Sequence, residues 1–227
     1  MSSLRPTTVL FDFGGTLDAD GVPWKERFHR LWCEEVGETD PATFAPLFYA
    51  ADDALVGRVP STLSFHETVQ RIALGVSRVA GRRDEMAAMR VAKRFVEDAM
   101  EHLRGTALIL HDLSRRYRLG IVSNFYGNLA SICAETGLTS CVATIVDSAC
   151  VGCTKPDPRI FFSALDELKS VPKRTVFVGD SLNRDMVGAR DVGMAHIWLT
   201  PQTGEGRAAC CPEDPVIHTL GAVLELL

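Results

Sequence analysis

Three apolar runs in this chain end directly on a residue with a reactive or charged side chain. Val9-Leu10-Phe11 stops at Asp12, Gly120-Ile121-Val122 at Ser123, and Val176-Phe177-Val178-Gly179 at Asp180. Short, unbroken runs of β-branched and aromatic residues suit strands buried on both faces of a parallel sheet. In open α/β sheets the ligand sits outside the carboxyl ends of such strands. A further polar group, Lys155, lies in Cys153-Thr154-Lys155-Pro156-Asp157-Pro158, soon after Ala143-Thr144-Ile145-Val146-Asp147; Asp185 follows Asp180 within one short segment. A carboxylate nucleophile, a hydroxyl, a cation and an acidic pair are thereby expected at one sheet edge.

The stretches between these runs set the architecture. After the first strand, Thr7 to Asp12, no strand pattern returns until Tyr117 to Ser123. In that interval Phe28, Leu31, Trp32 and Val36 share one face of a helix that opens near Pro23. Ser64-Phe65-His66-Glu67 reads as a capping box ahead of Val69, Ile72, Ala73, Val76 and Ala80. A third amphipathic stretch runs from Asp84 to Leu103 through Met86, Met89, Phe95, Val96 and Met100. From Thr106 onward, strands near 143–147, 174–179 and 195–199 alternate with helices near 127–136, 158–168 and 183–192. Asp157-Pro158 is a cap and first-turn pair, and Gly193 suits a left-handed helix stop. The expected fold is α/β, with a doubly wound parallel-sheet core built from residues 1–17 and 106–227 and an inserted all-helical cap over 18–105.

Composition removes several classes of function. A formal net charge of −5 leaves no basic footprint, so nucleic acid is not an expected partner. No apolar run approaches the roughly 18 residues of a membrane span, and Met1 to Pro6 lacks the apolar core of a signal peptide. A cytoplasmic protein, monomer or homodimer, without membrane contact is expected. The cysteines are scattered, and their number, 7, is odd, which points to reduced thiols. Cys150-Val151-Gly152-Cys153 has metal-ligand spacing, but Cys210-Cys211 is a poor second pair for zinc, so loop thiols are expected.

The order of these segments resembles the haloacid dehalogenase (HAD) superfamily over essentially the whole chain. Its first motif, Asp-x-Asp-Gly-Thr, corresponds to Asp12-Phe13-Gly14-Gly15-Thr16, its second to Ser123, its third to Lys155, and its fourth to Asp180 with Asp185. Most members are magnesium-dependent phosphatases, and one subgroup carries a helical cap between the first and second motifs. The resemblance implies a hydrolase of a small phosphorylated metabolite in which Asp12 forms an aspartyl-phosphate while Ser123 and Lys155 hold the phosphoryl group. It implies Mg2+ at Asp12, the carbonyl of Gly14, and Asp180, with Asp185 close by and suited to a metal-bound water or to Lys155. Gly15 and Asn124 are expected to add backbone and amide contacts to the substrate. Arg58, in Gly57-Arg58-Val59-Pro60-Ser61, looks like the family's cap substrate loop.

One position departs from the family pattern. The second Asp of the first motif, which in family phosphatases protonates the leaving alcohol and activates water, is Gly14 here. General acid–base catalysis contributes about 10²–10⁴-fold, so another donor is expected: Asp18, Asp20 or His66, or a leaving group acidic enough to need none. The departure also admits other readings. A catalytically silent module that binds a phosphorylated ligand or a protein is one. A dehalogenase is another, although the acidic pair argues against it. A phosphonatase would need a cap lysine, and Lys25 and Lys93 both stand apart in sequence from the loop around Asp52 to Ser61.

Overall fold

The computed structural model describes residues 5–82, 84–201 and 214–227. Its core is a parallel sheet of β1 (Thr8–Phe11), β2 (Arg118–Ser123), β3 (Thr144–Asp147), β4 (Thr175–Gly179), β5 (Ala195–Leu199) and β6 (Val216–Ile217). The strand order is β3-β2-β1-β4-β5-β6. β1 and β4 are buried along their whole length, which accounts for their continuous apolar sequence. Alternation within β1 divides the interior: Val9 and Phe11 join one apolar cluster, and Leu10 joins the other with Val122, Phe161 and Phe177.

Register explains the convergence at one edge. Phe11 lies beside both Ile121 and Val178, and Ser123 lies beside Asp147. The chain visits β2 and β3 on one side of β1 and then crosses to β4 on the other. The switch point between these two directions lies at β1, where crevices form in open sheets.

The interval between β1 and β2 is helical, with no strand among its described residues: α1 (Trp24–Glu35), α2 (Pro41–Asp53), α3 (Phe65–Val79) and α4 (Glu85–Ser114). The α3 capping box forms as expected, with Ser64 and Glu67 satisfying each other's backbone amides at 3.2 Å. α2 is an addition to the expected helices. Pro41 and Pro46 mask its pattern in the sequence, yet Asp40 caps its first turn through Ala42 and Thr43 and it buries Phe44, Phe48 and Ala51. α4 is one continuous helix of 30 residues. It passes through residue 105, the expected boundary, and Thr106 donates to the carbonyl of Leu17 at 2.8 Å. Cap and sheet consequently share one apolar cluster, from Phe44 and Val76 through Trp24 and Phe13 to Val9 and Ile121.

After β2 come α5 (Leu129–Glu135), α6 (Ser148–Val151), α7 (Pro158–Glu167), a π turn (Leu182–Met186) running into α8 (Val187–Asp191), and α9 (Val223–Leu226). β6 was not expected, because two residues carry no readable period. Cys33, Cys133, Cys141, Cys150 and Cys153 are free thiols, whereas Cys210 and Cys211 lie outside the described residues. No helix among the described residues is long and apolar enough to cross a membrane.

Candidate active site

Asp12 is the first residue beyond β1, and its amide donates to Val178 of β4 at 3.0 Å, so its backbone is fixed by the sheet. Two donors reach the same carboxylate oxygen: Ser123 Oγ lies 2.8 Å and Lys155 Nζ 2.6 Å from Asp12 Oδ1. Among the described residues no hydrogen bond reaches Oδ2, and Asp12 lines a cavity. Lys155 Nζ also lies 2.7 Å from Asp185 Oδ1. Lys155 is 4% exposed, and its ammonium sits 5.3 Å from the Phe177 ring centre. Burial works against its charge, but Asp12 and then Asp185 outweigh that and hold the ammonium above its ordinary range.

Asp180 follows β4 directly. Trp198 Nε1 donates to its carbonyl at 2.9 Å, and Thr16 Oγ1 donates to its Oδ1 at 3.3 Å. Asp185, on the π turn, accepts from the Ser181 amide at 3.0 Å through Oδ2. Carboxylate oxygens of Asp12, Asp180 and Asp185 all lie within 4.8 Å of one another. Burial, then the charges of Asp12 and Asp185, drive Asp180 well above the carboxylate range. Burial likewise pushes Asp185 up to about 6 against the pull of Lys155. Buried Asp185 Oδ1 has no aligned hydrogen bond despite its short approach to Lys155. Three carboxylates against one ammonium leave the cluster short of positive charge. A hard divalent cation with oxygen ligands fits that deficit.

Several expected contacts are otherwise engaged. The Gly15 amide donates to Asp18 Oδ1 at 2.7 Å, so it is spent on the turn and not on a ligand. Gly15 is nevertheless required: its φ is +88°, and a Cβ there would stand 2.7 Å from Asp180 Oδ2. Asn124 donates to the Lys155 carbonyl at 3.1 Å and accepts from the Lys155 amide at 2.7 Å, so it pins the lysine loop. Arg58 is exposed and lines a separate groove between α2 and α3 with Arg71 and Arg78, away from Asp12.

None of the expected replacement acids is available. Asp18 is fully buried and holds Trp24 Nε1 and Arg27, each at 2.7 Å. Asp20 pairs with His102 and accepts from the Leu220 amide. His66 is exposed on α3 beside Gln70. The space beside Gly14 is filled by Trp24: a Cβ on Gly14 would lie 3.2 Å from the indole nitrogen.

A cavity of about 620 Å³ opens over Asp12, Lys155, Asp180 and Asp185. Its cap wall includes Trp24, Lys25, Tyr49 and Asp52, and its core wall Tyr126 and Arg184. Lys25 thus shares a cavity wall with Asp52, although the sequence separation set them apart. Trp24 and Tyr126 had no signal of their own in the sequence, and Asp52 stood there only as the start of the loop that runs to Ser61.

The sequence model of the haloacid dehalogenase-like hydrolases matches residues 6–193. The chain belongs to this family. It is 33% identical over 162 residues to haloacid dehalogenase-like hydrolase domain-containing protein 3 of Mus musculus, covering 69% of this chain and 64% of that protein. It is 30% identical over 126 residues to pyrimidine 5'-nucleotidase YjjG of Escherichia coli strain K12, covering 54% of this chain and 56% of the relative. The chain therefore spans less than two thirds of these relatives' lengths. Among solved structures, a dehalogenase aligns with a TM-score of 0.66 and 21% identity over 100% of this chain and 98% of its own. The magnesium-bound HAD hydrolase YfnB of Bacillus subtilis aligns with a TM-score of 0.61 and 18% identity over 99% of both chains. At such identities the likeness is one of fold.

Proposed function

We propose that this HAD-like hydrolase is a magnesium-dependent phosphomonoesterase that acts on a small phosphorylated metabolite through an aspartyl-phosphate on Asp12. The observation that carries the reading is the division of labour on that carboxylate. Ser123 and Lys155 both bind Oδ1, which orients Oδ2 for in-line attack on phosphorus. As the bond to Asp12 forms, both donors stand beside the incoming phosphoryl oxygens, where their charge and hydrogen bonds stabilise developing negative charge. Asp185 steadies Lys155 from the far side.

Asp12, the Gly14 carbonyl and Asp180 would hold the magnesium ion, with Asp185 next to it. The ion would neutralise phosphoryl charge and offset the repulsion among the carboxylates. Nucleotidase and glyceraldehyde 3-phosphate phosphatase activities in the names of relatives support a small phosphorylated substrate. The test is phosphate release from a broad phosphoester panel with and without magnesium. The parent is expected to turn over some esters only with the ion, and Asp12→Asn none. A parent inactive on every ester would point instead to a binding module.

One observation favours a second reading. Lys25 lines the Asp12 cavity, and a small residue stands at Gly14, so a Schiff-base hydrolase of carbon–phosphorus bonds has a lysine within the same cavity. Borohydride trapping with a phosphono-aldehyde separates the two: the phosphomonoesterase leaves Lys25 unmodified.

A further inference from the structure

The proton required by the leaving group has no donor at Gly14, and the walls of the cavity show where one stands. Trp24 fills the space next to Gly14, with its indole nitrogen 3.2 Å from a Cβ placed there. Among the rings packed around Trp24 is Tyr126, whose centre is 6.4 Å from that of the indole. Tyr126 is 5% exposed, and its hydroxyl donates to Asp52 Oδ1. Asp52 is at the last turn of α2 and lines the Asp12 cavity. A cap carboxyl is thus locked to the loop that follows Ser123, one ring beyond the indole that occupies the missing acid's place.

The other proton-bearing groups of the cavity wall are less suited: Asp180, Asp185 and Lys155 are committed to the charged cluster around Asp12. Glu26 is exposed, and Tyr49 is 41% exposed and carries Lys25 over its ring at 5.8 Å. Asp52 faces Tyr126 from the core loop, Arg184 from the π turn and Asp53 from its own helix. Burial raises its proton affinity, the Tyr126 hydrogen bond opposes this, Asp53 adds to it, and Arg184 opposes it; the balance lies above an ordinary carboxyl.

We infer that Asp52 is the acid–base residue of this hydrolase, positioned by Tyr126, and that it takes over from the cap the role that Gly14 lacks. The inference rests on the phosphomonoesterase reading. In the first step Asp12 attacks phosphorus, and the bond from phosphorus to the leaving oxygen breaks with its electron pair on that oxygen. The leaving oxygen takes the Asp52 proton and departs as the alcohol. In the second step water attacks the aspartyl-phosphate and gives a proton to the Asp52 carboxylate. The Asp12–phosphorus bond breaks, phosphate leaves, and both carboxyl groups return to their starting states.

The two roles separate under pre-steady-state conditions. The experiment uses the full chain with magnesium and compares p-nitrophenyl phosphate with an alkyl phosphate for parent, Asp52→Asn and Tyr126→Phe. The aryl ester needs no proton to leave, so Asp52→Asn should release about one equivalent of nitrophenol at the parental rate. Steady turnover should then fall about 10²-fold or more, with phosphoenzyme accumulating. On the alkyl ester the first step itself should slow about 10²-fold or more, without a burst. Tyr126→Phe, which leaves the carboxyl in place but unpositioned, should show the same pattern more weakly. A purely structural role for the pair would slow both esters alike without accumulating phosphoenzyme, and that outcome overturns the inference. So does a parental profile in either variant. A parent that releases no phosphate from either ester overturns the phosphomonoesterase reading itself, and is recognised by the parent alone.

Discussion

Restoring the family carboxylate, Gly14→Asp, should destabilise this protein and leave its turnover no higher. A Cβ at residue 14 would meet three atoms of the Trp24 indole at 3.2, 3.4 and 3.5 Å. The indole has little room to yield. Its Nε1 is bonded to Asp18, and Phe28, Phe65, Phe95, Phe125 and Tyr126 surround it with ring centres 5.1–6.4 Å away. Overpacking a filled core costs about 1–3 kcal/mol. A displaced indole would also weaken a hydrogen bond to a buried carboxylate, which contributes about 1.5–3 kcal/mol. The two overlap, so a net loss of about 3 kcal/mol is expected, or about 6–12 °C in Tm for a chain of this size. Gly14→Ala should lose about 1 kcal/mol, because Trp24 must move by only a few tenths of an ångström. Urea unfolding of parent, Gly14→Asp, Trp24→Leu and the double variant closes a thermodynamic cycle. A favourable coupling of about 1–3 kcal/mol is expected, because Leu removes the obstructing ring. Strict additivity, or a Gly14→Asp variant as stable as the parent and faster on alkyl esters, would refute the reasoning.

Asp180→Asn should raise the Tm of the magnesium-free protein by relieving a buried carboxylate repelled by its neighbours, and should abolish the Tm increase that magnesium gives the parent through mass action. Arg27→Met should cost about 3–5 kcal/mol in urea unfolding, because it strands the fully buried Asp18 carboxylate without its cationic partner, the guanidinium at 2.7 Å. The His102–Asp20 pair should stabilise the fold only in a pH window. Asp20's hydrogen bond raises His102 above 6.5 and His102's lowers Asp20 below 3.8. The histidine contribution is therefore complete below its unfolded pKa and lost as pH rises through its raised folded value. The aspartate contribution is complete above its unfolded pKa and lost as pH falls through its lowered one. His102→Gln should thus lower the free energy of unfolding most between these limits, by about 0.5 kcal/mol for so exposed a pair, and not at alkaline pH.

The parts of this molecule that could be read from sequence are those set by local pattern. Asp12, Ser123 and Asp180 follow unbroken apolar strands, and parallel register alone brings strand ends together. Lys155 sits on an irregular loop, where family order supplied what periodicity could not. Other features depend on contacts distant in the chain. Asp18 reads as a free acid close to Asp12, and only the approach of Arg27 and Trp24 from α1 removes it. Asn124 and Gly15 stand in the expected places, but their hydrogen bonds are taken up within the protein. Arg58 occupies the expected loop, yet the turn that ties the Gly57 amide to the Tyr126 carbonyl at 3.1 Å leaves it on another groove. Asp52 reaches the cavity because α2, hidden by its prolines, directs its last turn there.

The central claim is covalent chemistry at Asp12, and the most direct measurement is to trap it. Parent protein mixed with magnesium and a turned-over phosphoester, quenched in acid, digested and read by mass spectrometry should carry phosphate on the peptide containing Asp12. The yield should rise in Asp52→Asn and vanish in Asp12→Asn. Phosphate turnover in the parent with no phosphopeptide in either the parent or Asp52→Asn, or undiminished turnover in Asp12→Asn, would contradict the account.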